Sequence, residues 1–201
     1  MLRRLLQLYI GLVLYGVSTA LFVHANLGAD PWDVFHLGVA KQLGISFGTV
    51  IILTGAAVLL LWIPIRQMPG LGTVSNVIVL GLAADATLAV LPPLESMVAR
   101  SALLVGAIVL NAIATGMYIG AGFGPGLRDG LMTGLHARTG WSLRGIRTAI
   151  ELSVLLIGWL LGGKFGVGTV IYALSIGPLI QLCLPWFSQP VSRNAVSLPG
   201  K

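Results

Sequence analysis

Apolar runs long enough to cross a bilayer recur along nearly the whole chain, over 5–25, 47–65, 71–91, 101–122, 147–163 and 167–187. A hydrocarbon core of about 30 Å takes roughly 20 apolar residues in a helix. No water is available there to satisfy open backbone groups, so a spanning segment must be a helix or part of a closed barrel. Barrel strands would alternate in hydrophobicity over about ten residues, and these runs do not. The runs predict an all-α polytopic membrane protein with six spans. Composition agrees: 56% of the 201 residues are hydrophobic and 9% are charged, where a soluble domain carries about a quarter charged residues. The net charge of +6 does not call for nucleic acid, because most Lys and Arg sit at the ends of apolar runs and set orientation there. The expected partner is the lipid bilayer. Cys183 stands alone in an apolar run and has no partner for an intrachain disulfide.

The first run needs a check. MLRRLLQLYIGLVLYGVSTALFVHA has the basic start, apolar centre and Val23-x-Ala25 ending of a cleavable signal peptide. It also has a counterpart later in the chain, which argues that it stays as a span.

Shifted by 96 residues without a gap, the sequence falls on itself. Gly28, Asp33, Gly38, Gly44 and Ser46 fall on Gly124, Asp129, Gly134, Gly140 and Ser142. Gly70, Gly72, Thr73, Val74 and Gly81 fall on Gly166, Gly168, Thr169, Val170 and Gly177, and Arg4 falls on Arg100. Six glycine pairs coincide between 28 and 81, where 27 glycines in 201 residues would give roughly one by chance. The chain reads as two homologous units, 1–95 and 96–188, with a cytoplasmic tail over 189–201. Each unit holds three spans and one short polar segment after the first span.

Those segments, 28–44 and 124–140, predict short helices over 30–43 and 126–138. In the first, Asp30 stands at an N-cap position, Pro31 at the first helical position and Asp33 at the third, a strong helix start. About 13 residues give a helix near 20 Å long, too short and too polar to span. The two readings are a half-helix dipping into a protein-lined cavity and a helix lying flat at the interface. Either makes each unit cross three times, so the copies are inverted; segments that spanned would make them parallel. Positive charges then divide eight inside (Arg3, Arg4, Arg66, Arg138, Arg144, Arg147, Arg193, Lys201) to three outside (Lys41, Arg100, Lys164), against nine to two in the parallel arrangement. Both counts put the termini in the cytoplasm, and segment length favours inversion.

The motifs LGADPWDVFHLG, GFGPGLRDGL, GISFGT at 44–49 and GLGT at 70–73 resemble those of the YczE/YyaS/YitT group of bacterial integral membrane proteins. The likeness covers roughly residues 5 to 187. YitT-type members commonly carry a soluble C-terminal domain; this chain ends in a short tail and is more similar to the YczE branch. The resemblance implies a multi-pass protein of the bacterial cytoplasmic membrane and implies no substrate.

Asp33 and Asp129 are the acidic pair that the repeat superposes. An acid in a first helical turn is favoured by the helix dipole and free N–H groups; twin carboxylates at membrane depth also suit a proton or cation site. Asp30 reads as a cap. Arg128 calls for an acidic partner or an anionic ligand, and Gly28, Gly122, Gly124 and Gly126 would let backbone N–H groups approach one. Arg147 and Glu151 share a helix face and are expected to pair; a proton-carrying Glu151 is the alternative. Asp85, whose counterpart is Gln181, reads as a lining residue or an interhelical bond. His36 and His136 lie late in the polar segments. His24, His36 and His136 lack metal-ligand spacing, so no metal or other cofactor is expected. Gly11, Gly16, Gly158 and Gly162 read as small residues for close helix packing.

No catalytic constellation is legible, so an enzyme is not expected. The sequence points to a small-solute transporter or channel with a central site between the units, proton- or cation-coupled. Its alternative is a membrane scaffold or accessory subunit of a biosynthetic or transport complex. The solute or ion is not readable, and homo-oligomerisation stays open.

Overall fold

A computed structural model of the chain describes residues 1–188; the expected tail over 189–201 lies outside the described residues. The elements are α1 (Leu2–Ala25), α2 (Pro31–Leu43), α3 (Phe47–Ile65), α4 (Leu71–Val90), α5 (Met97–Gly120), α6 (Leu127–Thr139), α7 (Leu143–Leu160) and α8 (Val167–Phe187). Among the described residues there is no strand.

Five of these helices, α1, α3, α4, α5 and α8, are long and apolar enough to cross a membrane. The sixth expected span differs. Helix α7 has 18 residues but carries Arg144, Arg147 and Glu151, and it lies four residues earlier than its apolar run. The Ser142 hydroxyl accepts from Gly145 N–H and starts the helix there. The chain leaves the helix after Leu160, and Gly162, expected to pack within a helix, sits in the following turn at φ +92°. Helix α5 likewise begins ahead of its apolar run and includes Arg100, whose guanidinium donates to the Ala25 and Asn26 carbonyls at 2.7 and 2.6 Å. Hydropathy marks where lipid contact begins, whereas caps mark where the helix begins.

Contacts along the helices give their directions. Helices α1 and α5 are antiparallel: Arg4 Nε donates to the Ala121 carbonyl at 3.0 Å, Gln7 to Met117 at 2.9 Å, and Asn111 Nδ2 to Ser18 Oγ at 2.9 Å. Helix α4 runs parallel to α1, with Tyr9 beside Ser75 and His24 beside the Pro92 carbonyl. Helix α3 runs against α4, with Gly48 on Gly81 and Gly55 on Val77. Helix α8 follows α5, with Gly116 against Cys183 and Gly120 against Phe187. The start of α1 and the end of α8 meet, Gln7 Nε2 donating to the Phe187 carbonyl at 3.0 Å.

Small residues make these approaches possible. Lipid tails are as apolar as leucine, so helix association in a bilayer rests on close packing and interhelical hydrogen bonds. Gly11 lies on α5 and Gly16 on α4. Gly158 of α7 takes the backbone of Phe35 from α2, and Gly130 of α6 takes the Trp62 ring from α3. The buried core follows the same seams: Phe22, Val34, Leu104, Ile108 and Tyr172 form one cluster, and Trp32, Val58, Trp62 and Leu131 another.

The two loops that precede α2 and α6 hold the short helices in place. The Leu27 carbonyl accepts from Gly168 N–H at 2.8 Å at the start of α8, and the Phe123 carbonyl accepts from Gly72 N–H at 2.9 Å at the start of α4. Gly28 has φ +111° and Gly124 φ +123°, and a Cβ on either would stand 2.7 or 2.9 Å from the Gly166 nitrogen or the Gly70 Cα.

These approaches are testable by adding one methyl. Gly158→Ala would press on the Phe35 backbone and Gly48→Ala on the Gly81 carbonyl, and neither backbone can yield. Each is expected to cost about 1–3 kcal/mol, read as a lower Tm in detergent. Gly106→Ala on α5, with nothing within 4 Å of the added carbon, is expected to be neutral or slightly stabilising. Equal losses at all three positions would contradict the packing described.

Candidate functional site

The starts of α2 and α6 open onto a common cavity of about 410 Å³. Its walls include residues from α1, α2, α3, α4, α5, α6, α7 and α8, so it lies among the helices rather than on one side of them. Asp30, Trp32, His36, Arg128, Asp129, Arg147 and Glu151 all line it.

Asp30 carries two tasks. One carboxylate oxygen caps α2 by accepting from Asp33 N–H at 2.7 Å. The other accepts from Arg128 Nη1 at 2.8 Å, joining the two short helices. The Asp30 side chain is 6% exposed and that of Arg128 29%, so the pair is largely desolvated. The Arg128 guanidinium also lies 5.0 Å over the centre of the Trp32 ring, a cation–π arrangement. Burial alone would raise the Asp30 carboxyl, but the Arg128 charge and hydrogen bond outweigh it and hold the group below its ordinary range.

Asp33 and Asp129, superposed by the 96-residue shift, have different surroundings. Asp33 is buried and turns away from the cavity. Among the described residues, its one side-chain neighbour by hydrogen bond is His36 Nδ1 at 3.4 Å. Burial and the neighbouring Asp30 charge push its carboxyl well above the ordinary range. His36, enclosed by Trp32, Phe35 and Phe47, is pushed by burial and the Arg128 charge down to about 3, which keeps its ring neutral. Asp129 is exposed on the cavity wall.

The remaining sequence candidates separate into three groups. Arg147 Nε and Glu151 Oε1 pair at 3.0 Å, with 60% and 35% of each side chain exposed. Glu151 thus faces the cavity rather than lipid, and an open pair of this kind is worth little, about 0–1 kcal/mol. Asp85 stands apart from the cavity. It accepts from the Ser46 hydroxyl and from Gly48 N–H at 2.6 Å and so closes the start of α3. His24 meets the Pro92 carbonyl and His136 the Trp141 carbonyl, both outside the cavity. Of the four candidate glycines, Gly28 and Gly124 bring their backbones against Gly166 and Gly70, Gly122 sits beside Arg4, and Gly126 lines the cavity, as Gly55 and Gly177 also do.

Polar lining residues that were not singled out from sequence include Tyr15, Thr115, Tyr118 and Tyr172. Each is a lone polar group in an apolar run. The legible signal was the i, i+3 spacing of Thr115 and Tyr118, which puts both on one helix face. The Tyr118 and Thr115 hydroxyls and the indole N–H of Trp32 are buried without a hydrogen-bond partner, whereas Tyr172 reaches Asn111 Oδ1 at 3.4 Å.

The two aspartates of α2 should behave oppositely on neutralisation. Asp30→Asn keeps a capping side chain but strands Arg128, with an expected loss of about 2 kcal/mol; Asp30→Asn combined with Arg128→Gln should cost less than the two single losses added together. At Asp33 the native pKa lies above the unfolded value, so ionisation opposes folding and stability falls as pH rises between the two. Asp33→Asn removes that cost. Its Tm should equal or exceed wild type at pH 7 and converge with it at acid pH. A large loss in Asp33→Asn at pH 7 would mean that the ionised carboxylate is the form the fold needs.

Comparison with known proteins places this architecture. An uncharacterized protein of Haemophilus influenzae is 37% identical over 177 residues, covering 88% of this chain and 81% of its own length. The uncharacterized membrane protein YczE of Bacillus subtilis is 30% identical over 179 residues, covering 88% and 83%. The uncharacterized protein YyaS of the same organism is 22% identical over 180 residues, covering 88% and 90%. The resemblance drawn from the glycine-spaced motifs holds for both YczE and YyaS. No solved structure matches the chain. Residues 2–185 match the model of the family of unknown function DUF6198, and with five apolar helices and a membrane-protein relative at 30% identity, the chain is a membrane protein that belongs to that family.

Proposed function

We propose that this protein is a small-solute transporter or channel whose central site is the cavity between two homologous, inverted units. The observation that carries the reading is the cavity of about 410 Å³ onto which both short helices open, with the Asp30–Arg128 pair between them. Substrate sites formed where broken helices of two repeats meet are a recurrent transporter design. A volume of about 300–1,000 Å³ is the usual range for small-molecule sites.

The two-unit reading is supported by helix bounds and by reciprocal contacts. Helices α2 and α6 start at 31 and 127, α3 and α7 at 47 and 143, and α4 and α8 at 71 and 167, each pair 96 apart. Arg4 caps the end of α5 while Arg100 caps the end of α1. Leu27 binds Gly168 while Phe123 binds Gly72. Contacts in which i meets j and j meets i are the mark of a two-fold relation. Inversion is supported because the twin helices α1 and α5 run antiparallel. Residues 1–95 and 96–188 then form the units, with α7 as the sixth crossing, its charges turned to the cavity. The positive-inside count supports both termini in the cytoplasm, and the bacterial relatives support a place in the cytoplasmic membrane.

The role is non-enzymatic. Asp33, whose carboxyl favours the protonated form, is the proton-carrying candidate for coupling, and Asp129 faces the solute. Rocking of one unit against the other would expose the cavity alternately to each side.

Two measurements bear on this. With Cys183→Ser and Glu95→Cys, an impermeant thiol reagent should label intact cells, because inversion puts the α4–α5 loop outside; labelling only after the cells are opened would exclude that topology. In proteoliposomes carrying a pH-sensitive dye, a panel of amines, amino acids, organic acids and sugars should include a class that drives proton movement through the wild type. Asp129→Asn should reduce that movement about tenfold or more. If no class moves, and cells lacking the protein lose a membrane complex instead, the protein is a scaffold or accessory subunit.

A further inference from the structure

The charges lining the cavity do not balance. Five formally charged side chains face it: Arg128, Arg147, Asp30, Asp129 and Glu151. Four are closed into two ion pairs, Arg128–Asp30 at 2.8 Å and Arg147–Glu151 at 3.0 Å. The Asp129 carboxylate has no hydrogen-bond or ion-pair partner among the described residues. His36, neutral, supplies no cation. The cavity therefore presents one unanswered negative charge.

The surroundings of that charge are built for a donor. Tyr118 is 4% exposed and Thr115 8%, and both hydroxyls lack partners. A buried hydroxyl without a partner costs about 1–3 kcal/mol, which a ligand that bonds to it recovers. The Tyr118 oxygen and Asp129 Oδ2 lie 3.0 and 2.6 Å from the point where a Cβ on Gly126 would stand. They are not bonded to each other, and both border the side of Gly126 that lacks a side chain. Glycine at 126, with φ −58°, leaves that spot open without any need for its backbone freedom.

We propose that the cavity binds a small organic ammonium ion, with its charge on Asp129 and its N–H groups donating to the Tyr118 and Thr115 hydroxyls. This rests on the transporter reading and names its solute class. An organic cation fits better than a bare metal ion for two reasons. The cavity is far larger than an ion, and the aromatic residues Tyr15, Tyr118 and Tyr172 line it, a residue type whose rings attract ammonium groups. An anionic solute is disfavoured, because the guanidinium that would receive it is already held by Asp30 and stacked on Trp32.

The test uses purified full-length protein in nanodiscs, titrated with benzylammonium, with benzoate as a size-matched anion and sodium chloride at equal ionic strength. Binding is read by tryptophan fluorescence and by Tm. Benzylammonium should quench fluorescence and raise Tm, with benzoate and sodium inert. Loss of a charged hydrogen bond in Asp129→Asn should weaken binding about 10- to 100-fold. Gly126→Ala, which fills the spot without backbone strain, should weaken it comparably, and Tyr118→Phe about three- to tenfold. If Asp129→Asn does not fold, Gly126→Ala and Tyr118→Phe decide. Benzoate binding as tightly as benzylammonium, full displacement by sodium, unchanged affinity in Gly126→Ala, or no wild-type binding below about 10 mM would each overturn the proposal. Benzylammonium binding without flux would overturn transport alone; flux of a non-amine solute without benzylammonium binding would overturn this inference alone.

Discussion

Backbone groups shut away from water must find partners within the protein, and the two breaks in the helical chain near 26–30 and 121–126 are where this one meets that demand. Each break presents a carbonyl to the first N–H groups of another helix, Leu27 to Gly168 and Phe123 to Gly72. One contact satisfies two needs, since a helix start has N–H groups with no partner inside the helix. The glycines at 28, 70, 124 and 166 follow from the closeness this requires. Once the breaks are docked, α2 and α6 are fixed with their starts facing the cavity.

Charge placement follows from that geometry. The helix starts attract carboxylates, and Asp30 answers one of them while also receiving Arg128 from the other short helix. A single side chain therefore ends one helix, ties it to another and neutralises a cation that burial would otherwise penalise. Arg147 and Glu151 make a looser pair on the more exposed wall. The closure of these two pairs leaves Asp129 as the open charge. Arg128 occupies the position 96 residues after Trp32, and its guanidinium stacks on the Trp32 ring.

The residues that look most functional in an apolar chain do not all share one role. Asp85 closes the start of α3 through Ser46 and Gly48; it is a tie between two helices, distant from the cavity. Asn111 joins Ser18 and Tyr172 across α1, α5 and α8. Both are polar groups whose alternative would be an unsatisfied position in lipid, and such groups bind helices together. Tyr118 and Thr115, by contrast, are polar, buried and unpartnered on the cavity wall.

The sequence by itself determined the helices and most of their limits, because span length, the Asp30-Pro31 start and the glycine stops at 44 and 140 are local signals. It also carries a gap-free likeness between positions 96 apart, which needs no structure to be seen. It did not determine where α7 begins, because the Ser142 cap overrides the limit of the apolar run. Only the tertiary structure decided who meets whom. Asp33 and Asp129 fall on each other in the 96-residue shift, yet one is buried and the other lines the cavity. The partner of Arg128 lies 98 residues away. Periodicity is a property of one helix, whereas burial and pairing depend on which helices abut, and that is set by the close glycine contacts between them.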